Sequence, residues 1–314
     1  MAVPVPSCSQ ELCVIVNVLV TGARGFLGGY VLESMRRTGH TIYATQRYQS
    51  DSNGENCDVE WITIDLTQEN HFSRLPARVD AVVHLAATLD RHDISLSEYI
   101  SRNTNATCHL REYAIRAQSQ SFVYASSVSV HGHIIETTLR PETPVRDPSP
   151  YGISKYLGER LPAERKDSVP SVALRLPGIL GRGCSNHWLS RSCRALARGQ
   201  SIVVHNPDTL FNNVVSAAEV GRFVVSLLAQ TLRGFRPLPL GAKTTIELKA
   251  LLEGVQSRLD IFSRIEWATH ATPSFQIDST LAQLQFGYEP SGIVEQVLGY
   301  LAEDRLVREP GPRS

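Results

Sequence analysis

The chain has 314 residues, 42 % apolar and 20 % charged, with 31 Lys plus Arg against 31 Asp plus Glu. That is material for one large α/β domain or a core with a smaller appendage, and the balanced charge gives no global field for nucleic acid or an anionic membrane, so any anion site must be local. No apolar run reaches the roughly 18–20 residues needed to span a bilayer. The opening MAVPVPSCSQELC lacks a basic segment and is broken by Pro4 and Pro6, unlike a signal peptide. Cys8, Cys13, Cys57, Cys108, Cys184 and Cys193 show no CxxC spacing. They read as reduced thiols of a cytoplasmic protein, with neither a disulfide frame nor a metal site.

Val14 to Val20 is an apolar run suited to a strand buried on both faces. Gly25 to Arg37 has helical apolar spacing (Phe26, Leu27, Tyr30, Val31, Met35) and stops at Gly39. Strands are expected at Thr41–Thr45, Trp61–Ile64, Val79–Leu85, Ser121–Ala125 and Ser171–Leu176. A long helix is expected over Ser95–Ala117 and another over Tyr151–Arg160. This alternation predicts a Rossmann-type doubly wound parallel sheet with right-handed crossovers. Beyond it, helices are expected at Trp188–Arg198, Ala217–Gln230, Thr245–Leu259 and Ile293–Leu301, with a strand at Ser201–Val204. The loop Gly132–Pro150 is rich in proline and is expected on the surface near the site.

Between the first strand and helix lies Thr21-Gly22-Ala23-Arg24-Gly25-Phe26-Leu27-Gly28. Gly22 permits a tight turn, Gly25 a close approach to a pyrophosphate, and Gly28 close packing of helix on sheet. The helix N-terminus presents free N–H groups and a positive dipole to the phosphates.

This spacing resembles the extended branch of the short-chain dehydrogenase/reductase superfamily, the NAD-dependent epimerase/dehydratase family, and in particular its nucleotide-sugar enzymes. The resemblance runs from about Val14 to Leu301 through motifs in order: the glycine turn, Asp65-Leu66, His84-Leu85-Ala86-Ala87, Asn103-x-x-x-Thr107, Tyr124-Ala125-Ser126-Ser127, Tyr151-x-x-x-Lys155, and Leu174-Arg175 through Gly181. It implies a nicotinamide cofactor held by Gly22, Arg24, Gly25, Phe26, Leu27 and Gly28. Asp65 and Leu66 would lie at the adenine, Leu85, Ala86 and Ala87 beside the cofactor, and Pro177 in the turn that covers the nicotinamide. An acid at the end of the second strand would bond the ribose of NAD. Ala44-Thr45-Gln46-Arg47 has none, and Arg47 with Arg24 can bind a 2′-phosphate. NADP(H) is therefore favoured over NAD(H), the alternative being a solvated Arg47 with Gln46 bonding a plain ribose.

Tyr151 and Lys155 are four apart and share a helix face. A phenol is unperturbed near pKa ~10; a nearby ammonium, together with the positive nicotinamide, would lower that value, so Tyr151 can pass a proton to or from a substrate oxygen. Lys155 would also hold the nicotinamide ribose. By the resemblance, Ser127 bonds the substrate oxygen, and its neighbour Ser126 also lies at the substrate.

In the second half, Asn186 falls where the nucleotide-sugar enzymes contact the diphosphate, and Trp188–Gly199 with Gln200–Val204 resembles their nucleotide clamp. The basic residue often found near Leu210 is missing, so Arg182, Arg191 or Arg194 would have to replace it. Sugar 4,6-dehydratases of the family carry an Asp-Glu pair where Val128 and Ser129 stand, and the fucose-nucleotide epimerase-reductase carries a Cys at Val128. Neither chemistry is expected. His187 resembles the second-site histidine of the latter enzyme and can bond a substrate hydroxyl. The resulting expectation is an NADPH-dependent reductase of a 4-keto-6-deoxy sugar nucleotide, with a nucleotide-sugar 4-epimerase retaining NAD as the alternative. Residues 13–176 would form the cofactor domain, with 211–240 returning to it. Residues 177–210 and 241–305 would form a smaller α/β substrate-binding part, and 306–314 a tail. The resemblance implies a homodimer through the Ser95–Ala117 and Tyr151 helices, with Pro162 expected to end or kink the latter early.

Overall fold

A computed structural model of the protein describes residues 16–36, 38–49, 58–163, 169–184, 187–269 and 274–306. In chain order the elements are β1 (Asn17–Thr21), α1 (Phe26–Met35), β2 (Thr41–Gln46), β3 (Val59–Thr63), β4 (Ala81–His84), α2 (Leu96–Tyr99), α3 (Ala106–Arg116), β5 (Ser121–Ser127), β6 (Thr138–Leu139), α4 (Pro150–Ala163), β7 (Ser171–Leu176) and β8 (Gly178–Leu180). There follow α5 (Trp188–Ala197), β9 (Ile202–His205), β10 (Leu210–Phe211), β11 (Val214–Ser216), α6 (Ala217–Leu228), β12 (Phe235–Pro239), β13 (Ile246–Glu247), α7 (Leu248–Leu259), β14 (Ile265–Ala268), β15 (Gln276–Ile277), α8 (Thr280–Phe286) and α9 (Ile293–Glu303).

Among the described residues the central sheet has seven strands in the order β12-β7-β5-β4-β1-β2-β3, every neighbouring pair parallel. Order reverses between β1 and β4, so a crevice opens at their C-terminal ends, where open α/β sheets bind ligands. Alternate residues of each strand serve opposite faces. Val18 and Val20 pack with Leu27, Val31 and Met35 of α1 and with Val220, Phe223 and Leu227 of α6. Leu19, Val82 and Phe122 pack with Leu110 and Tyr113 of α3 on the other face. A second core joins Leu189 and Cys193 of α5, Leu252 and Val255 of α7, and Val297 and Leu301 of α9. No helix among the described residues is long and apolar enough to cross a membrane.

Several elements depart from the sequence expectation. Ser95–Ala117 is not one regular helix: α2, opened by a Ser95–Glu98 capping box, passes through a π-helical stretch at Ile100–Asn105 into α3. Ile246 and Glu247 pair with Phe211 and Leu210, so α7 starts at Leu248. The short strands β8, β12 and β14 and helix α8 were not anticipated. β12 lies at the sheet edge, where Pro237 and Pro239 cost no ladder bond. The proline-rich loop is pinned at β6, which pairs with β15. Pro162 lies one residue before the last described residue of α4, Ala163. The start of the expected first strand, Cys8, Cys13, Cys57, Asn186 and residues 307–314 lie outside the described residues.

Candidate active site

The glycine turn sits at the crevice. Gly22 adopts φ +70, and a Cβ there would stand 2.5 Å from the Ala86 nitrogen and 2.7 Å from the Leu85 carbonyl carbon. The turn and the end of β4 can meet only because that side chain is missing. A Cβ on Gly28 would run into the Gly22 carbonyl oxygen. No side chain caps α1, so its first N–H groups are available to an anion. Leu27 is buried in the core and Phe26 is 37 % exposed, its ring edge-on to Tyr30. At Leu27 only the backbone can serve a ligand. This empty cap, with Ala86 and Ala87 beside it, fits the pyrophosphate of a dinucleotide.

At the far end of the turn the Arg24 guanidinium lies 4.2 Å from the centroid of Trp61, and its Nε donates to Gln46 Oε1 at 2.7 Å. Gln46 in turn donates to Thr63 Oγ1 at 3.2 Å. The carbonyl of Gln46 is thus engaged by Arg24. Arg47 is largely exposed, with Nε 3.9 Å from Asp65 Oδ2, a pairing of little strength at the surface. Asp65 Oδ1 accepts from the nitrogen and hydroxyl of Thr67 at 2.9 and 2.8 Å, and the Leu66 carbonyl accepts from His109.

Pro150 opens α4, where its missing N–H costs nothing, and Ser149 Oγ accepts from Gly152 N at 3.2 Å. The Ser127 side chain lies beside the Tyr151 phenol and draws it downward against its burial. Ser127 Oγ also accepts from Ser129 N and donates to Ser129 Oγ, both at 3.1 Å. Its single proton is thus given to Ser129 Oγ, and a ligand oxygen could be served only by rotating the hydroxyl away from that partner. The Lys155 ammonium lies 4.6 Å from the Tyr124 ring centroid. The structure therefore brings Ser127, Tyr151 and Lys155 to one place. In the chain by itself, burial, with Asp90 adding to it, pushes the Tyr151 phenol upward. Burial also pulls Lys155 down to about 7, against the opposing pull of Glu159. Desolvation is the largest influence on both groups. Ser126 departs from the expectation. It is 3 % exposed and donates at 2.6 Å to Glu159 Oε1, so its hydroxyl faces inward and is not offered to a substrate.

A chain of oriented bonds links the glycine turn to α4. Ala86 N donates to Thr21 Oγ1 at 3.3 Å, and Thr21 Oγ1 meets His84 Nδ1 at 2.7 Å. His84 Nε2 meets Thr107 Oγ1 at 3.0 Å, and Thr107 donates to the Asn103 carbonyl at 2.7 Å. Because Thr107 has spent its proton, His84 Nε2 must donate and Nδ1 must accept from Thr21. Asn103, turned inward by the π-helical stretch, donates to Ser154 Oγ at 3.0 Å, and Ser154 donates to the Tyr151 carbonyl at 2.8 Å. Burial holds the His84 value well below 6.5. Above the unfolded value both states are neutral. Below it the unfolded chain takes a proton that the folded one refuses, so stability falls as pH drops beneath about 6.5. His84→Gln is expected to remove part of that acid-side slope in urea unfolding; an unchanged slope would show that His84 carries none of it.

Beside Ser127 a cavity of about 670 Å³ is lined by Val128, Pro177, Gly178, His187, Trp188, Arg191, His205 and Phe211 among others. Trp188 meets Phe211 edge-on at 5.4 Å. The His187 ring lies flat against Gly178, where any Cβ would collide with it, and its Nδ1 is buried without a partner among the described residues. Burial, then Arg191, lowers His187 to about 4, so it is a neutral ring at physiological pH. Of the three candidate arginines, only Arg191 lines this cavity. Arg194 pairs with Asp304 at 2.8 Å, and the backbone of Arg182 bonds Tyr30 and Glu303 on the far side of α1. Among the described residues no group of three or more His, Cys, Asp or Glu side chains could hold a metal.

Residues 18–231 match the model of the NAD dependent epimerase/dehydratase family. The chain is 30 % identical over 177 residues to ADP-L-glycero-D-manno-heptose-6-epimerase of Cupriavidus pinatubonensis, covering 53 % of this chain and 52 % of that protein. It is 28 % identical over 176 residues to UDP-glucose 4-epimerase of Neisseria meningitidis, covering 51 % of each. The chain thus spans about half the length of the curated relatives it matches. Over 92 % of its own length and 99 % of the other chain it superposes on MoeE5 in complex with UDP-glucuronic acid and NAD, at TM-score 0.77 and 26 % identity. The Bordetella bronchiseptica enzyme WbmG, in complex with NAD and UDP, shares the fold at TM-score 0.78 and 19 % identity, over 95 % of this chain and 100 % of that one. Match, sheet order and crevice agree: this chain belongs to the NAD-dependent epimerase/dehydratase family, within the extended short-chain dehydrogenase/reductases.

Proposed function

We propose that the protein is an NADPH-dependent reductase of a 4-keto-6-deoxy sugar nucleotide. The observation that carries this reading is the state of Tyr151: buried beside Ser127, with burial favouring its protonated form, it is poised to give a proton to a ketone oxygen. The glycine turn would hold the nicotinamide cofactor, which when bound would supply the hydride. Ser127 donates to the same oxygen and fixes its direction. Lys155 holds the nicotinamide ribose, and its positive charge favours the tyrosinate that proton transfer leaves behind. Arg24, set by Gln46 and Trp61, and the exposed Arg47 supply the cations for a 2′-phosphate. Trp188 and Phe211 offer aromatic faces and Arg191 a cation to a nucleoside diphosphate. Half-exposed Leu96 and Leu157, on α2 and α4, suit the homodimer face.

A second reading, a 4-epimerase retaining NAD, is favoured by the relatives themselves, several of which are UDP-glucose 4-epimerases. The cofactor decides between them. The purified protein is expected to release no stoichiometric NAD on denaturation and to bind NADPH at least about tenfold more tightly than NADH, a charge-assisted bond's worth. Combined Arg24→Ala and Arg47→Ala should erase that preference. Stoichiometric NAD in the released fraction would reject the reductase and select the epimerase.

A further inference from the structure

The buried face of α4 continues past the catalytic pair. Glu159 follows Lys155 by four residues, as Lys155 follows Tyr151, so the three share one face. Glu159 is 1 % exposed, and both its oxygens are engaged. Oε1 accepts from Ser126 Oγ at 2.6 Å and Arg175 Nε at 3.0 Å, and Oε2 accepts from Arg175 Nη2 at 2.7 Å. Arg175, itself 5 % exposed, gives Nη1 to the Pro141 carbonyl at 2.7 Å and to His131 Nε2 at 3.0 Å. Since Nε2 accepts, His131 Nδ1 is the protonated nitrogen and donates to the Thr143 carbonyl at 2.8 Å. Buried charges stay ionised only when paired and fully bonded in this way.

This hub joins three segments that carry or flank the chemistry: α4 with Tyr151 and Lys155, the end of β5 with Ser127 next to Ser126, and the turn and loop that follow it. We propose that Glu159, clamped by Arg175 and Ser126, is the positioning residue of the catalytic pair: it supplies the counter-charge for the Lys155 ammonium and ties the helix face to the strand end that bears Ser127. The inference rests on the reading of Tyr151 and Lys155 as that pair. The titratable groups around Lys155 are Tyr151 and Glu159 on α4, Tyr124 on β5 and His84 on β4, with Arg175 of β7 behind Glu159. Of these Glu159 is the anion, and it opposes the burial that drives the ammonium toward neutrality.

The test is competitive acetylation of the full-length, ligand-free protein across a wide pH range, with the Lys155 peptide quantified by mass spectrometry. Wild-type Lys155 should titrate near 7. Glu159→Gln should lower that midpoint by roughly one unit, and Arg175→Gln, which frees the carboxylate, should raise it by a similar amount. A hub that merely stiffened the fold would, when broken, admit water and raise the midpoint in both variants. Both rising, or neither moving, overturns the proposal. If a single variant does not fold, the charge-balanced double Glu159→Gln/Arg175→Gln carries the test: a midpoint below wild type supports the counter-charge, and one equal to or above it refutes it. The readout needs neither substrate nor cofactor, so its failure is separate from failure of the reductase reading, which activity of Tyr151→Phe judges.

Discussion

Tyr151→Phe is expected to lower turnover by about three orders of magnitude, the scale of general acid catalysis, while NADPH affinity stays within roughly twofold. The phenol is 9 % exposed and packs edge-on against Tyr99 at 5.9 Å. Phenylalanine keeps that packing and removes only the hydroxyl. On the proposed reading the cofactor contacts come from the glycine turn and Lys155, which the change leaves in place. Because Ser127 retains its bond from Ser129 N, residual polarisation of the ketone should leave a measurable rate. Steady-state kinetics with a fluorescence titration of NADPH checks both halves. A variant within a few-fold of wild type in turnover would remove Tyr151 from the chemistry.

Gly22→Ala is expected to destabilise the fold by about 3 kcal/mol. Two separate costs add. Left-handed backbone costs an L-residue roughly 1–2 kcal/mol, and φ at Gly22 is +70. The new methyl group would also stand 2.5 Å from the Ala86 nitrogen, and overpacking of that kind costs about 1–3 kcal/mol. The clash cannot be relieved by a side chain turning away, because both partners are backbone. Relief must come from parting the turn and β4, which breaks the Ala86 bond to Thr21 and would spoil the proposed phosphate cradle. Guanidinium unfolding monitored by circular dichroism should show the lower midpoint, and NADPH binding should weaken with it. A variant as stable as wild type with intact binding would show that turn and strand can separate freely.

Much of this was legible in the sequence because it is written in local patterns. The buried runs Val18–Val20 and Ala81–Val83 read as parallel strands because they lack alternation. Gly22, Gly25 and Gly28 read as a turn because a strand precedes them and a helix follows. Tyr151 and Lys155 read as a pair because helical periodicity puts them on one face. What was missed depends on partners distant in the chain. Ser126 was expected to meet substrate, yet Glu159 and Arg175, 33 and 49 residues away by sequence number (159 − 126 and 175 − 126), hold it inward. The i, i+4, i+8 series Tyr151, Lys155, Glu159 was available as a signal: a buried face carrying a third ionisable group needs a counter-ion. The π-helical stretch at Ile100–Asn105 has no sequence signature of its own; Asn103 bonding to Thr88 and Ser154 fixes it only once β4 and α4 are in place. Nor did spacing show that burial would push Tyr151 up, since desolvation is a property of the packed site.

The most direct test of the account is isotopic. Wild-type protein would be incubated with NADPH deuterated at the hydride-donating carbon and with a nucleoside-diphosphate 4-keto-6-deoxyhexose, and the sugar product analysed by mass spectrometry and NMR. The account predicts deuterium at C4 of the sugar, formed with wild type and lost with Tyr151→Phe. A sugar that stays unlabelled and unreduced with the cofactor bound would contradict it.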